Sequence, residues 1–195
     1  MEENEAISRI KQGDLTGLEE LINRYQERAV RSAYLIVQQR TLAEDVAQNA
    51  FVKVVEKINL FDENRLFAPW FFRIVVNDAI KMAHQQKRIE GLAEEADDES
   101  IALAKWLVDP DPLPEEQVEL KESRARLRKA LRKLSIEQRA VVVMRYYLQL
   151  PENEMSTKLR QPLTTVKWWL RVARKRLKLM LTTEDTEYLE SGRLK

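Results

Sequence analysis

The sequence predicts an all-α protein in which two small helical domains are joined by an acidic linker. Apolar residues recur at spacings of three and four along most of the 195 residues, which is the period of an amphipathic helix. Only four glycines are present, and no pair of alternating segments is joined by a hairpin turn. Shifts in composition place an N-terminal domain at 1–89, the linker at 90–122, a C-terminal domain at 123–182 and a flexible tail at 183–195.

The N-terminal segment predicts a compact helical bundle. Asp14 can cap a helix whose apolar positions begin at Leu15. Thr41 and Glu44 form a capping-box pattern ahead of the next apolar stripe. Pro69 suits the first turn of a further helix, because the N–H that proline lacks is unpaired there in any case.

Two polar helix faces remain on this bundle. Opposite the apolar stripe of one helix lie side chains available to a protein partner, namely Asp45, Gln48, Asn49, Val52 and Glu56. On the next helix a cationic stripe repeats at spacings of four, four, three and four, namely Arg73, Asn77, Lys81, His84 and Arg88. Cationic and hydrogen-bonding side chains in a row suit phosphates and exposed base edges.

The linker differs in composition from both flanking segments. Residues 90–122 hold 12 acidic against 2 basic side chains, together with three prolines. Clustered charge and proline predict an extended connection. Ile101 to Val108 is too apolar for a pure spacer, so we expect this piece to dock on another surface.

Positive charge is concentrated in the C-terminal segment. Residues 123–182 carry 16 basic against 3 acidic side chains, which favours a polyanion partner over a solvated helix face. Ser135 with Gln138 predicts a helix that begins with a capping box, and Pro151 predicts a short helix that ends near Leu159.

A tight turn, RQPLT, separates this short helix from a longer basic one. The order is that of a helix-turn-helix, in which the second helix enters the major groove. The apolar face of the second helix comprises Val166, Leu170, Ala173, Leu177 and Leu181, with Trp169 beside it. Trp168 falls on the opposite face with Lys167, Arg171, Lys175 and Lys178, where it can contact sugars or a thymine methyl. The alternative is that Trp168 covers a neighbouring helix.

The composition also excludes several kinds of site. The chain has no cysteine, so disulfides and thiolate metal sites are excluded and a reducing, cytoplasmic setting is expected. His84 is the one histidine and has no second ligand type nearby, so we expect no metal and no cofactor. No stretch reaches the roughly 18 apolar residues of a membrane span. No glycine-rich phosphate loop or nucleophile motif indicates an enzyme.

Three segments resemble the sigma-70 family, whose members direct bacterial RNA polymerase to promoters. LSIEQRAVVVMRYYLQLPENEMSTKLRQPLTTVKWWLRVARKRL, Leu134 to Leu177, resembles the C-terminal promoter-binding region. AEDVAQNAFVKVVEKI, Ala43 to Ile58, is similar to the core-polymerase-binding helix, and PWFFRIVVNDAIKMAHQQKR, Pro69 to Arg88, to the minus-ten recognition helix. A chain with only these two regions and a linker resembles the small extracytoplasmic-function group.

The resemblance implies that the chain binds bacterial core RNA polymerase and promoter DNA, while the polymerase supplies the chemistry. It assigns polymerase contact to Asp45, Gln48, Asn49 and Val52. It assigns the minus-ten element to the stripe Arg73, Asn77, Lys81, His84 and Arg88, together with the loop from Asn59 to Ala68. It assigns the minus-thirty-five element to Thr164, Thr165, Lys167, Trp168, Arg171 and Lys175. Many members are held inactive by an anti-sigma protein, a further implied partner that no residue here identifies.

Some residues depart from the family pattern. Asn49 stands where glutamate is usual, Arg160 where the turn often has glycine, and Trp168 and Trp169 replace a small or polar residue and a basic one.

From the residues alone, two alternative functions stay open. One is a stand-alone helix-turn-helix regulator that binds paired half-sites as a dimer. The other is a protein-binding helical scaffold, which leaves the positive charge of 123–182 unexplained.

Overall fold

The computed structural model describes residues 2–90, 123 and 125–191, and all regular structure within these ranges is helical. The N-terminal segment forms α1 (Glu3–Lys11), α2 (Thr16–Val37), α3 (Arg40–Lys57), a 3-10 turn (Ile58–Leu60) and α4 (Phe67–Glu90). The C-terminal segment forms α5 (125–132), α6 (Ile136–Val142), a π-helical turn (Val143–Tyr147), α7 (Glu152–Leu159) and α8 (Leu163–Ser191). The predicted all-α fold with two helical parts is confirmed.

The predicted connection and tail are only partly described. Apart from Glu90, the linker at 90–122, with its apolar piece from Ile101 to Val108, lies outside the described residues. Helix α8 continues through Ser191, so the flexible tail predicted from residue 183 is helical as far as that residue. The reason is that no glycine or proline interrupts the chain between Leu163 and Ser191.

Aromatic rings fill the centre of the N-terminal bundle. Phe71 is fully buried, and its ring centroid lies 4.8 Å from that of Phe51 and 5.7 Å from that of Tyr25. Phe67 stacks on Phe71 at 5.7 Å with an interplanar angle of 10°. Because the rings come from α2, α3 and α4, one cluster fixes three helices and orients the polar outer faces of α3 and α4.

Helix α1 packs closely on the start of α2. A Cβ atom built on Gly17 would lie 2.2 Å from the carbonyl oxygen of Ala6, so only glycine allows the two backbones this approach. Asp14 organises the start of α2, because its carboxylate accepts hydrogen bonds from the N–H of Thr16 at 2.9 Å and from its hydroxyl at 2.7 Å. Leu15, predicted in the apolar stripe, precedes the helix and is exposed.

The two predicted capping boxes have different outcomes. At α3 the N-cap is Gln39, which makes no side-chain capping bond, and Glu44 pairs with Arg40 at 2.8 Å. The prediction for Thr41 and Glu44 is therefore wrong, since an ion pair at spacing i, i+4 engages the glutamate. At α6 the prediction is confirmed. The N–H of Gln138 donates to Ser135 Oγ, and the N–H of Ser135 donates to Gln138 Oε1, both at 3.2 Å.

The two segments pack directly against each other. Ile136, Val141 and Leu148 of the C-terminal segment belong to one continuous hydrophobic core with Tyr25 and Phe72 of the N-terminal bundle. We call this the closed arrangement: α2 and α4 on one side lie against α6, the π-helical turn and α7 on the other. In the closed arrangement, α4 and α8 are therefore parts of one compact body.

The turn of the helix-turn-helix is left-handed at Arg160, where φ is 53° and ψ is 42°. The hydroxyl of Ser156 donates to the carbonyl of Gln161 at 2.6 Å and holds this turn. A side chain in the left-handed region costs about 1 kcal/mol, because Cβ crowds the backbone. The turn therefore keeps the backbone geometry that favours glycine, although the residue is arginine.

Replacing Arg160 with glycine is expected to raise the free energy of unfolding by about 1 kcal/mol, because glycine adopts this conformation without the Cβ clash. Denaturant unfolding of the whole chain measures the change. The matched control is Arg160→Ala, which removes the charged side chain but keeps Cβ and should bring no comparable gain. Equal gains in both variants would mean that the side chain, and not the backbone, causes the effect.

Candidate nucleic-acid interface

Helix α8 carries an exposed cationic face. Of the residues predicted to contact the minus-thirty-five element, the structure exposes Thr164, Lys167, Trp168, Arg171 and Lys175 and leaves Thr165 partly buried. On the opposite side Val166, Leu170 and Ala173 are buried, and Leu177 and Leu181 are partly buried. The structure therefore brings all six predicted residues to the first four turns of α8, with the cations on its outer surface.

The adjacent tryptophans have different surroundings. Trp168 is 50% exposed on the cationic face, so covering a neighbouring helix is not its main role. Trp169 is partly buried and packs against the hydrophobic core. A large aromatic surface held beside cations can contact deoxyribose or base methyl groups while the cations neutralise phosphates.

Helix α4 carries the second polar stripe. Asn77, Lys81, His84 and Arg88 are exposed, whereas Arg73 is partly buried. The ammonium group of Lys53 on α3 donates to both carboxylate oxygens of Asp78, at 2.6 and 2.7 Å. This ion pair ties α4 to α3, so the stripe stands on a rigid support.

In the closed arrangement an acidic side chain reaches one end of this stripe. His84 Nε2 lies 3.0 Å from Glu137 Oε1 on α6. Burial raises the pKa of Glu137, but hydrogen bonds from its own backbone N–H, from Ser135 and from His84 outweigh burial and leave the pKa below its usual range. Glu137 is therefore a carboxylate at neutral pH, and it contacts a stripe whose side chains suit phosphates.

At the other end of the stripe α7 contributes a lysine. Lys158 Nζ donates to the carbonyl oxygen of Pro69 at 3.1 Å. Burial lowers the pKa of Lys158, the carboxylate of Glu154 opposes this shift, and the nearby guanidinium of Arg73 adds to it. The closed arrangement thus places Lys158 of α7 in the electrostatic field of Arg73 on α4.

Arg28 on α2 joins the two segments at their boundary. Its guanidinium lies 4.9 Å from the ring centroid of Phe72 and 6.0 Å from that of Tyr147. It also donates to the carbonyl oxygen of Tyr147 at 3.4 Å. A cation between two rings contributes favourable cation–π energy, so Arg28 stabilises the closed arrangement.

The predicted protein-binding face of α3 is open. Asp45, Gln48, Asn49 and Val52 are all exposed, and Val52 is 56% exposed although it is apolar. Their neighbours Val46, Ala47, Ala50 and Phe51 are buried on the other side of the helix. These four side chains are thus free of contacts with the core on the outer face of α3.

A loop connects α3 to α4 beside this face. Phe61 is buried and anchors the loop, because its ring lies 5.6 Å from that of Phe67, centroid to centroid. Leu60 and Leu66 on either side are 82% and 76% exposed. Asp62 shapes the tip by accepting hydrogen bonds from the N–H and the side-chain amide of Asn64, at 3.1 and 3.0 Å.

Sequence patterns gave no indication of the contacts across the boundary. Arg28 and Tyr147 are 119 positions apart, and Lys158 and Pro69 are 89 apart. Pairs so distant in sequence carry no periodic signal.

Within the described ranges no cluster of three or more histidine, cysteine, aspartate or glutamate residues could hold a metal ion. Among the helices in these ranges, none combines the length and the apolar character that a membrane span requires.

Comparison with known proteins identifies two family regions in the chain. Residues 21–89 match the family described as Sigma-70 region 2, and residues 124–177 match Sigma-70, region 4. The chain is 30% identical to the ECF RNA polymerase sigma factor SigW of Bacillus subtilis over 90% of this chain and 94% of that protein. It is 31% identical to the ECF RNA polymerase sigma factor RpoE of Cereibacter sphaeroides over 70% of each chain.

Solved structures agree on the fold. CnrH in complex with the cytosolic domain of CnrY aligns over 93% of this chain and 97% of its own, with a TM-score of 0.63 and 20% identity. The sigma factor RpoE in complex with the anti-sigma factor NepR from Bartonella quintana aligns over 84% of this chain and 96% of its own, again with a TM-score of 0.63 and 20% identity.

A helix-turn-helix with a cationic outer face defines a DNA-binding protein of the major-groove-reading class. With two matched regions and a relative of 30% identity over nearly its whole length, the chain belongs to the extracytoplasmic-function group of the sigma-70 family of RNA polymerase sigma factors.

Proposed function

We propose that this chain binds core RNA polymerase through α3 and directs it to promoters through two separate DNA-binding surfaces. The stripe on α4 and the neighbouring loop contact the minus-ten element, and the cationic face of α8 contacts the minus-thirty-five element. The observation that carries the proposal is the presence of both surfaces on one chain, each inside a matched sigma-70 region. The domain division at 1–89, 90–122 and 123–182 follows from the same argument.

A stand-alone helix-turn-helix regulator is the weaker candidate, because it leaves the first matched region and the exposed face of α3 without a role. The chain acts with the polymerase in the cytoplasm and needs no catalytic residue of its own. An anti-sigma protein is a further partner by analogy with the sigma factor RpoE, which is bound to the anti-sigma factor NepR in its solved structure.

Promoter binding requires the closed arrangement to open. The minus-ten and minus-thirty-five elements are about 25 base pairs apart, roughly 85 Å of duplex at 3.4 Å per base pair. In the closed arrangement α4 and α6 touch at His84 and Glu137. One compact body cannot reach both elements at once, so the two segments separate when the chain engages a promoter.

The role of α3 gives the first functional prediction. Replacing Asp45 and Gln48 together with alanine is expected to weaken core binding at least tenfold, about 1.4 kcal/mol, while circular dichroism stays unchanged because both side chains are exposed. Gel filtration with core polymerase and run-off transcription on a genomic promoter library measure the effect. The matched control is Glu19→Ala, an exposed acidic residue on α2. Unchanged core affinity in the double variant would place the polymerase interface elsewhere.

A further inference from the structure

Lys11 reaches from α1 to the loop between α3 and α4. Its ammonium group donates to the carbonyl oxygen of Phe61 at 2.9 Å and to Glu63 Oε1 at 2.6 Å. The lysine side chain is 23% exposed, so part of its length is sheltered from solvent. Residue 11 lies before the first matched family region, which begins at residue 21. The contact thus comes from a helix outside that region.

The contacts fix the backbone at the base of the loop. Phe61 is held on one side by its buried ring, which lies 5.2 Å from that of Trp70, centroid to centroid. On the other side its carbonyl oxygen accepts the hydrogen bond from Lys11. Because the ring and the carbonyl group of Phe61 are both held, the backbone is fixed at the point where the exposed loop tip, Asp62 to Leu66, begins.

The loop tip carries two adjacent negative charges, and Lys11 neutralises one of them. Asp62 and Glu63 are adjacent carboxylates, and like charge repels an approaching DNA strand. Each carboxylate has a cationic partner: Arg65 lies 3.3 Å from Asp62, and Lys11 lies 2.6 Å from Glu63. The tip is therefore close to neutral only while Lys11 is in place.

Helix α1 cannot shift easily, which makes Lys11 a stable support. The close approach of Ala6 to Gly17 fixes α1 on α2, and Ala6, Ile7 and Ile10 are buried in the main core. The lysine therefore projects from a docked helix and not from a free end.

We infer that Lys11 is a positioning residue for the loop that captures the opened minus-ten strand: it holds the base of the loop and neutralises Glu63, so that an anionic strand can approach. This inference rests on the proposed function of the loop. It assigns to α1 a role in promoter opening and not only in packing.

The test uses the complete chain bound to core polymerase. A labelled single-stranded DNA oligonucleotide, selected by the wild-type holoenzyme from a pool randomised over the minus-ten element, serves as the probe. Lys11→Met keeps an apolar stem but removes the charge and the donor. It is expected to weaken probe binding about five- to tenfold. Affinity for core polymerase, affinity for minus-thirty-five duplex and the melting temperature are expected to stay unchanged.

Three further variants sharpen this test. Arg9→Met is the matched control, because Arg9 pairs with Glu5 within α1 at 2.7 Å, and it should bind the probe as the wild type does. Lys11→Arg keeps the positive charge and should restore most of the affinity. Lys81→Ala removes a cation from the α4 stripe and should weaken probe binding as well.

Two results would overturn the inference about Lys11 alone. One is a Lys11→Met holoenzyme that binds the probe as tightly as the Arg9→Met holoenzyme, while Lys81→Ala lowers the affinity. The other is a parallel fall in core affinity or melting temperature, which would make the role of Lys11 merely structural. If the wild-type holoenzyme selects no oligonucleotide at all, the role of the loop itself fails, and the inference fails with it.

Discussion

Replacing Trp169 with alanine is expected to destabilise the C-terminal segment by about 2 to 3 kcal/mol. A fully buried tryptophan costs about 3 to 5 kcal/mol on truncation, and Trp169 is only partly buried against the core. Replacing Trp168 is expected to leave the melting temperature nearly unchanged, because half of its surface is exposed. The same change should lower affinity for minus-thirty-five duplex about tenfold, or ~1.4 kcal/mol, through lost contacts with sugar or methyl groups.

Thermal melting and duplex binding, measured side by side on both variants, separate the two roles. Leu179→Ala is the matched control, since Leu179 is a 68% exposed apolar residue about three turns beyond Trp168 on the same face of α8. It should change neither property, because the N-terminal turns of a recognition helix are the ones that contact base edges. If Trp168→Ala unfolded the segment while Trp169→Ala lost only DNA binding, the assigned orientation of α8 would have to be withdrawn.

Opening of the closed arrangement is expected to increase the distance between α2 and α8 when the chain binds a promoter together with core polymerase. The chain has no cysteine, so Glu19→Cys on α2 and Lys178→Cys on α8, both exposed, can carry a donor and an acceptor dye. Energy transfer should be high in the free chain. It should fall sharply when core polymerase and a promoter with both elements are added, because the elements lie roughly 85 Å apart.

Arg28 provides the variant for this measurement. Arg28→Ala removes the cation between Phe72 and Tyr147 and should lower energy transfer in the free chain without DNA. Arg24→Ala, one turn earlier on α2, is the control, because Arg24 pairs with Glu20 of its own helix at 3.3 Å. If energy transfer stayed high in the promoter complex, the two segments would remain packed and the proposed opening would be wrong.

The sequence allowed several local features to be predicted because their causes are local. The capping box at Ser135 depends on residues three positions apart, and it is present. The pattern at Thr41 looked equivalent, yet Arg40 pairs with Glu44 instead. A capping motif of four residues does not show whether its glutamate will pair with a neighbouring cation and leave the box unformed.

By itself, the sequence determined the all-α fold, the helix-turn-helix, the resemblance to sigma factors and the candidate faces of α3, α4 and α8. Each follows from helical periodicity, capping or a local motif, which neighbouring residues encode. Only the tertiary structure decided the closed arrangement and the support that Lys11 gives to the loop. The contact between His84 and Glu137 and that between Lys11 and Phe61 join residues about fifty positions apart. Such pairs form through the packing of whole helices, and that packing leaves no periodic mark in the chain.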